Sequence, residues 1–370
     1  MLSSKKTPSF LAWSCVMLGL SNNLGAVLPE ETEARATPKA TASANTAPAD
    51  DDADKRKVID RKCITLKDHK DLTKVELGSD DVDVHELDLS GTNVFDLRDL
   101  PQYAHLTRLI LKGCNNPALD FSTLPQCEAL RLLDLSGITG NLDLTFLKAC
   151  NLETLYIQDR DDLTDLNFLA GCTGIKHLSV AGKKLKTLDG IGALANLEAL
   201  QVSSGALTTL DGLAQCQNLT YVSVNSDTLG NVHALQNHPS LQHATISPFP
   251  GTNLEAFKGC TNLESLRLRL CRHLETLNGF KGENIHSLHI ETDKLKNIAA
   301  ASLWPKLETF YLKDIHRSGR AALVPLMDFP NQVRFYTNRV ERLPIEAMKN
   351  KGLPAIRAAG KRIDSEKTAS

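Results

Sequence analysis

The chain has 370 residues, with 42 Lys and Arg against 44 Asp and Glu, for a formal net charge of −2. That balance gives no long-range pull on a polyanion, so nucleic acid is not expected as a partner. Hydrophobic residues make up 42% of the chain and aromatic ones 5%, so any core must be mainly aliphatic; length alone would allow two domains.

At the N-terminus, Lys5 and Lys6 precede an apolar stretch from Phe10 to Leu20, broken only by Ser14 and Gly19. A basic start followed by about 7–15 apolar residues is the pattern of a secretory signal peptide, and it is too short for a membrane span of ~20 residues. Residues 1–26 therefore read as a signal peptide that sends the chain to the periplasm or outside the cell. Lipid attachment at Cys15 is the lesser alternative, because Trp13 fits a lipoprotein box poorly. Residues 27–57 are Ala, Thr, Pro and Asp, which cannot bury a core and read as a disordered linker. In residues 58–83, Ile64 and Leu66, then Leu72, Val75 and Leu77, suggest a degenerate coil capping the open N-terminal end of a repeat array.

From Val84 onward the string L-x-x-L-x-L, or an apolar variant, returns eleven times. It starts at Val84, Leu106, Leu130, Leu152, Ile175, Leu197, Leu219, Leu241, Leu263, Ile285 and Leu307, with eight spacings of 22 residues and one each of 24 and 23. A fixed period of this size is the signature of a solenoid. Within a unit, Leu109 and Leu111 lie two apart, which predicts a short strand whose 4th and 6th positions face inward. The rest of the unit runs at a spacing of three, as in Leu207, Leu210, Leu213, Cys216 and Leu219, which suits tight 3₁₀-like backbone. Residues 84–328 thus form eleven coils. Strands ~4.8 Å apart make a parallel sheet, and the wider 3₁₀ side makes the strand side concave. After Leu312 the beat decays. Val333 and Phe335 suggest one last strand within a C-terminal cap over residues 329–360, with a helical pattern from Ile345 to Ala359, then a disordered tail at 361–370. No later segment reads as transmembrane.

Over roughly residues 60–345 this pattern resembles the leucine-rich repeat family, in the 22-residue class typified by internalins. The resemblance implies an α/β solenoid: a curved, right-handed horseshoe with a parallel β-sheet on its concave face and short 3₁₀ or irregular segments on its convex face. It also implies protein binding on the concave face. At one position the chain departs from the family. Family repeats carry Asn or Cys three residues after the second strand leucine. Here that position holds residues such as Thr92, Cys114, Ile138, Arg160 and Phe249, and never Asn. Thr, Asp and Cys can bond turns. Ile138, Arg160 and Phe249 cannot do so in the same way, so less regular turns are expected, particularly at Phe249 between Pro248 and Pro250.

Eight cysteines come after Cys15, and seven recur at repeat positions, which reads as burial of small hydrophobes. Cys127, Cys150 and Cys172 fall on consecutive coils, where one pair could still bridge; Cys63 lies in the cap. No C-x-x-C pair, P-loop, G-x-G-x-x-G, G-x-S-x-G or H-E-x-x-H is present. Asp88 and Asp134 are the nearest thing to a catalytic carboxylate pair, and Ile110 separates them. The chain reads as a non-enzyme with no cofactor and no metal.

Strand positions 3, 5 and 7 face away from the core. The first coils present Glu86 and Asp88 there, and a later coil presents Arg267 and Arg269. Over a Ser/Thr-rich floor stand Tyr156, His177, Tyr221, His243, His289 and Tyr311. Tyr and Arg are enriched at interface hot spots, so these eight residues, from Tyr156 to Tyr311 with Arg267 and Arg269, are the candidate partner-binding set. The expectation is an exported, non-catalytic, monomeric protein that binds a protein partner, or else a glycan, on its concave sheet. The alternative is an intracellular or injected regulator that holds an enzyme in its concavity. About 35 residues come after Arg334, too few for a catalytic domain of their own.

Overall fold

The computed structural model describes residues 62–66, 83–140, 142–313, 328–329, 333–337 and 340–344. The chain divides into two units, 1–58 and 59–370, and all described residues lie in the second. The signal peptide, the linker, the Leu72–Leu77 part of the first coil, the Ile345–Ala359 helix and the tail fall outside the described residues.

Each unit returns the chain to the same side and lays down one strand. These are β1 (Lys62–Thr65), β2 (Val84–Asp88), β3 (Arg108–Ile110), β4 (Leu132–Asp134), β5 (Thr154–Ile157), β6 (His177–Ala181) and β7 (Ala199–Ser204). They continue as β8 (Tyr221–Ser226), β9 (His243–Ser247), β10 (Ser265–Leu268), β11 (Ser287–Glu291), β12 (Thr309–Lys313), β13 (Arg334–Thr337) and β14 (Val340–Pro344). Their order in the single sheet is their order in the chain. β1 to β13 pair in parallel, and β14 folds back antiparallel on β13. Short 3₁₀ segments such as Leu124–Gln126, Asn167–Leu169 and Asp211–Gln215 form the other side, making the unit a curved horseshoe with the sheet on its concave face.

The strand phase is the one the leucines dictate. Leu87 and Leu89, Leu109 and Leu111, Leu266 and Leu268, and Leu288 and Ile290 are all fully buried, and they pack coil upon coil in one continuous core. The 3₁₀ leucines, such as Leu207, Leu210 and Leu213, close it from the other side. Phe249 is buried rather than turned outward. It stacks on Phe257, and the run continues through Phe280 to Trp304 with centroids 5.6–6.4 Å apart. The preceding Ser247–Pro248 peptide is cis. Gly190 has φ 96°, and a Cβ there would sit 2.3 Å from the Leu166 carbonyl oxygen; only glycine lets these coils approach so closely.

The missing asparagine is present at another point in the cycle. Asn196, Asn218, Asn262 and Asn284 each precede the first leucine or isoleucine of a repeat. Their side-chain amides donate to the carbonyls of Thr173, Ala195, Pro239 and Thr261 on the coil before, at 2.6–2.9 Å. In the turns, the Cys114 and Cys260 thiols donate to the carbonyls of Leu89 and Leu235 at 3.0 and 2.9 Å, and Ser226 donates to Leu207 at 2.7 Å. Arg160 does bond a turn, contrary to expectation. It is buried, its guanidinium is clamped by Asp162, and it reaches the Gly140 carbonyl at 3.4 Å. The many turn aspartates have local work too. Asp120, Asp143 and Asp165 accept the backbone N–H two residues on, at the entry to a 3₁₀ segment, as short polar side chains do at helix starts.

All eight described cysteines are free, and the Cys127, Cys150 and Cys172 set holds no bridge. Six are buried, Cys150 is half-buried and Cys63 is exposed. Burial pushes Cys127 up to about 11 and Cys271 up to about 12, so these are neutral thiols.

The phase can be broken with one residue. Leu200 has no exposed surface, and Leu200→Asp would bury a carboxylate with no partner. We expect a loss of at least about 3 kcal/mol, seen as an early transition in urea unfolding; a native-like curve would refute the inward placement of Leu200.

Candidate functional site

The register turns the concave face into rows that run across the strands. One row reads Asp88, Ile110, Asp134, Tyr156, Ser179, Gln201, Ser223, Thr245, Arg267, His289 and Tyr311. The row beside it holds Glu86, Arg108, His177, Tyr221, His243, Ser265, Ser287 and Thr309 among others. Parallel pairing forces this: equivalent residues of successive coils become neighbours ~4.8 Å apart.

The eight predicted residues do not gather in one place. Tyr156 is sunk into the sheet at 5% exposure, and burial raises its phenol above the usual range. It lies beside Arg108 and Asp134, where the acidic end of the face is already answered. Arg108 pairs with Glu86 at 2.9 Å, Asp88 accepts from the Ser90 backbone at 2.9 Å, and Asp134 accepts from the Ser136 backbone at 2.8 Å. Burial raises the Asp134 carboxyl, partly offset by Ser136 and Lys112.

Further along, the His177 ring nitrogen Nδ1 lies 3.1 Å from the Thr154 hydroxyl. Burial, helped by Lys176, drives the imidazole down to about 4. Burial also lowers His243 and raises the Tyr221 phenol. Tyr221 and His243 face each other across β8 and β9. This middle stretch is polar and uncharged at neutral pH. No group of three metal-binding side chains occurs among the described residues.

Arg267, Arg269, His289 and Tyr311 do come together, on β10 to β12. The His289 ring stacks on Tyr311, with centroids 4.3 Å apart and planes 18° from parallel. Burial, with Arg267 and then other neighbours, takes His289 down to about 4, so the stack is neutral. Two residues not singled out from the sequence complete the patch. Glu291, with only 8% of its side chain exposed, holds Arg269 at 3.4 Å and Lys313 at 3.1 Å. Its burial raises the carboxyl, but the two cations outweigh that and leave it below the usual range. The signal was available: Arg269, Glu291 and Lys313 are 22 residues apart, one coil each. Arg267 points outward from β10, exposed and with no carboxylate partner among the described residues. Desolvation of its guanidinium against the sheet, then the charge of Arg269, lowers its pKa.

The depressed histidines set a pH dependence. With folded values near 4 for His177 and His289 against an ordinary 6.5, the unfolded chain binds more protons between those limits. Stability is therefore fully present above pH 6.5 and declines as pH falls towards 4. Urea midpoints should drop across this window, and His177→Gln with His289→Gln should flatten the slope. Imidazole titration midpoints near 6.5 by NMR would contradict the assigned burial.

Comparison with protein-family models finds no match, and comparison with curated proteins finds none either. Solved structures do resemble the chain. An internalin of Listeria monocytogenes, InlF, aligns at 17% identity and TM-score 0.52, over 72% of this chain and 78% of its own. TLR13, solved in complex with ssRNA13, aligns at 16% identity and TM-score 0.54, over 74% of this chain but only 43% of its own. At such identities the likeness is one of fold. Together with the repeat phase and the single ordered sheet, it makes this chain a leucine-rich repeat solenoid.

Proposed function

We propose that the protein is an exported, non-catalytic binding protein that holds a protein partner on its concave sheet, chiefly over β10 to β12. The observation that carries this reading is the exposed Arg267, without a carboxylate partner among the described residues, beside the preformed His289–Tyr311 stack. A parallel sheet usually has both faces covered, and buried Tyr and Arg anchors dominate interfaces. Tyr221, His243 and His177 would extend the contact towards the middle coils, and Tyr156 would act as floor. Asp88 and Asp134 are each bonded by a serine two residues on, which supports the non-catalytic reading. A monomer suffices for such a face. A glycan is the other ligand class that its hydroxyls and stacked rings could take.

Export rests on Lys5, Lys6 and the apolar run to Leu20. No helix of the described residues is long and apolar enough to cross a membrane. The second reading, an intracellular or injected regulator that holds an enzyme in its concavity, is favoured by one observation: the eight described cysteines are all free, which suits a reducing compartment.

Two measurements decide between these readings. Fractionation of the producing cell with intact-mass analysis should find a species beginning near residue 27 outside the cytoplasm; a full-length cytoplasmic species would favour the regulator. A photo-crosslinking amino acid at Tyr311 or Tyr221 should trap one discrete protein adduct, and the same group at Lys186, outside the strands, should trap none. Adducts from Lys186 alone would remove the concave face as the binding surface.

A further inference from the structure

Resting on the concave-face reading above, we propose that the patch on β10 to β12 receives an extended acidic segment of the partner, with an Asp or Glu carboxylate seated on Arg267. Among the described residues, Arg269 and Lys313 are both paired with one carboxylate, Glu291, and Arg267 with none, so the guanidinium of Arg267 brings positive charge that no described side chain answers. Glu291 reaches both Arg269 and Lys313, which fixes those two cations in place and leaves none of its charge for Arg267. Arg267 lies on β10 and Arg269 two residues on, just past its end, and Arg269 makes the Arg267 charge costlier. A carboxylate placed between them relieves that repulsion and meets the planar donor fork that arginine presents. The neighbouring row supplies Ser265, Ser287 and Thr309, hydroxyls suited to a polar backbone. The His289–Tyr311 stack offers a flat neutral surface for the carboxylate's neighbours in the segment.

The same face argues against a long phosphate backbone. Nucleic-acid binding draws on many cations neutralising successive phosphates. Here the cationic cluster ends at β10, the middle coils are neutral, and beyond them Glu86 already takes Arg108, with Asp88 and Asp134 beside the pair. The charge pattern fits a short anionic stretch and no more.

The probes are a fluorescent decapeptide alternating Glu and Tyr, its Gln–Tyr counterpart, and a labelled ten-nucleotide oligothymidylate. The acidic peptide should bind the intact protein and weaken with salt, while the Gln–Tyr peptide binds at least about tenfold more weakly. Arg267→Gln should cost the acidic peptide about tenfold, Arg267→Lys less, and Lys186→Gln nothing. Since Arg267 is exposed, these variants should melt like the parent, and circular dichroism checks that they do. Equal binding of the two peptides, or of the parent and Arg267→Gln, would overturn the proposal. So would oligothymidylate binding more tightly than the acidic peptide, which would point to nucleic acid instead. If Tyr311 still traps its partner while the acidic peptide fails, the chemical assignment falls and the concave-face reading stands.

Discussion

No coil of this solenoid can bury its own leucines. A strand of three to six residues and a turn of 3₁₀ backbone enclose a strip of apolar surface open above and below, and only the next coil covers it. The rest of the structure depends on that constraint. It holds every repeat to 22–24 residues and keeps Leu109, Leu200 and Leu288 in a single stack. It also explains which irregularities are allowed. Phe249 enters where a small turn residue was expected, and it stacks on Phe257 at the start of a run of rings that continues through Phe280 to Trp304 on later coils. Arg160 enters the turn of another coil because Asp162 takes its charge and, with the Gly140 carbonyl, the hydrogens of Nε and Nη2; a buried guanidinium without them would cost several kcal/mol, on the order of a whole domain's margin.

Stacking also decides where side chains of the concave face meet. In a parallel ladder, residues one period apart become cross-strand neighbours, so a charge at one position is answered 22 residues away. Arg108 answers Glu86 in this way, and Glu291 answers both Arg269 and Lys313. The first coils therefore look acidic in sequence and are nearly balanced in the fold. The basic spot behaves differently: of its two arginines, Arg269 is held and Arg267 is left over.

Much of this was legible in the sequence because the period encodes it. The strand phase, the 3₁₀ side, the burial of the cysteines and the outward set all come from counting in twenty-twos. What escaped was the part that depends on contacts between coils. The asparagine ladder was sought after the strand, in the family's place, whereas Asn196, Asn218, Asn262 and Asn284 bond the previous coil from the position before it. The candidate face was read as a set of eight residues of equal standing. The fold sinks Tyr156 and leaves His177 neutral beside Thr154. It binds four others into one patch and adds Glu291 and Lys313, whose importance lies in which residue stands one coil away.

That last pair shows how a repeat scaffold can hold a binding patch ready. Arg269 and Lys313 are long, flexible side chains that would lose rotamer freedom on meeting a ligand. Glu291, enclosed between them, has already taken that loss, and the His289–Tyr311 stack has done the same for its rings. Association then pays for ordering little more than Arg267 and the incoming segment, which is where a preformed face gains affinity over a flexible one. Glu291 is thus a positioning residue. It neutralises part of the patch, and in doing so it converts three mobile cations into two fixed ones and a single free guanidinium.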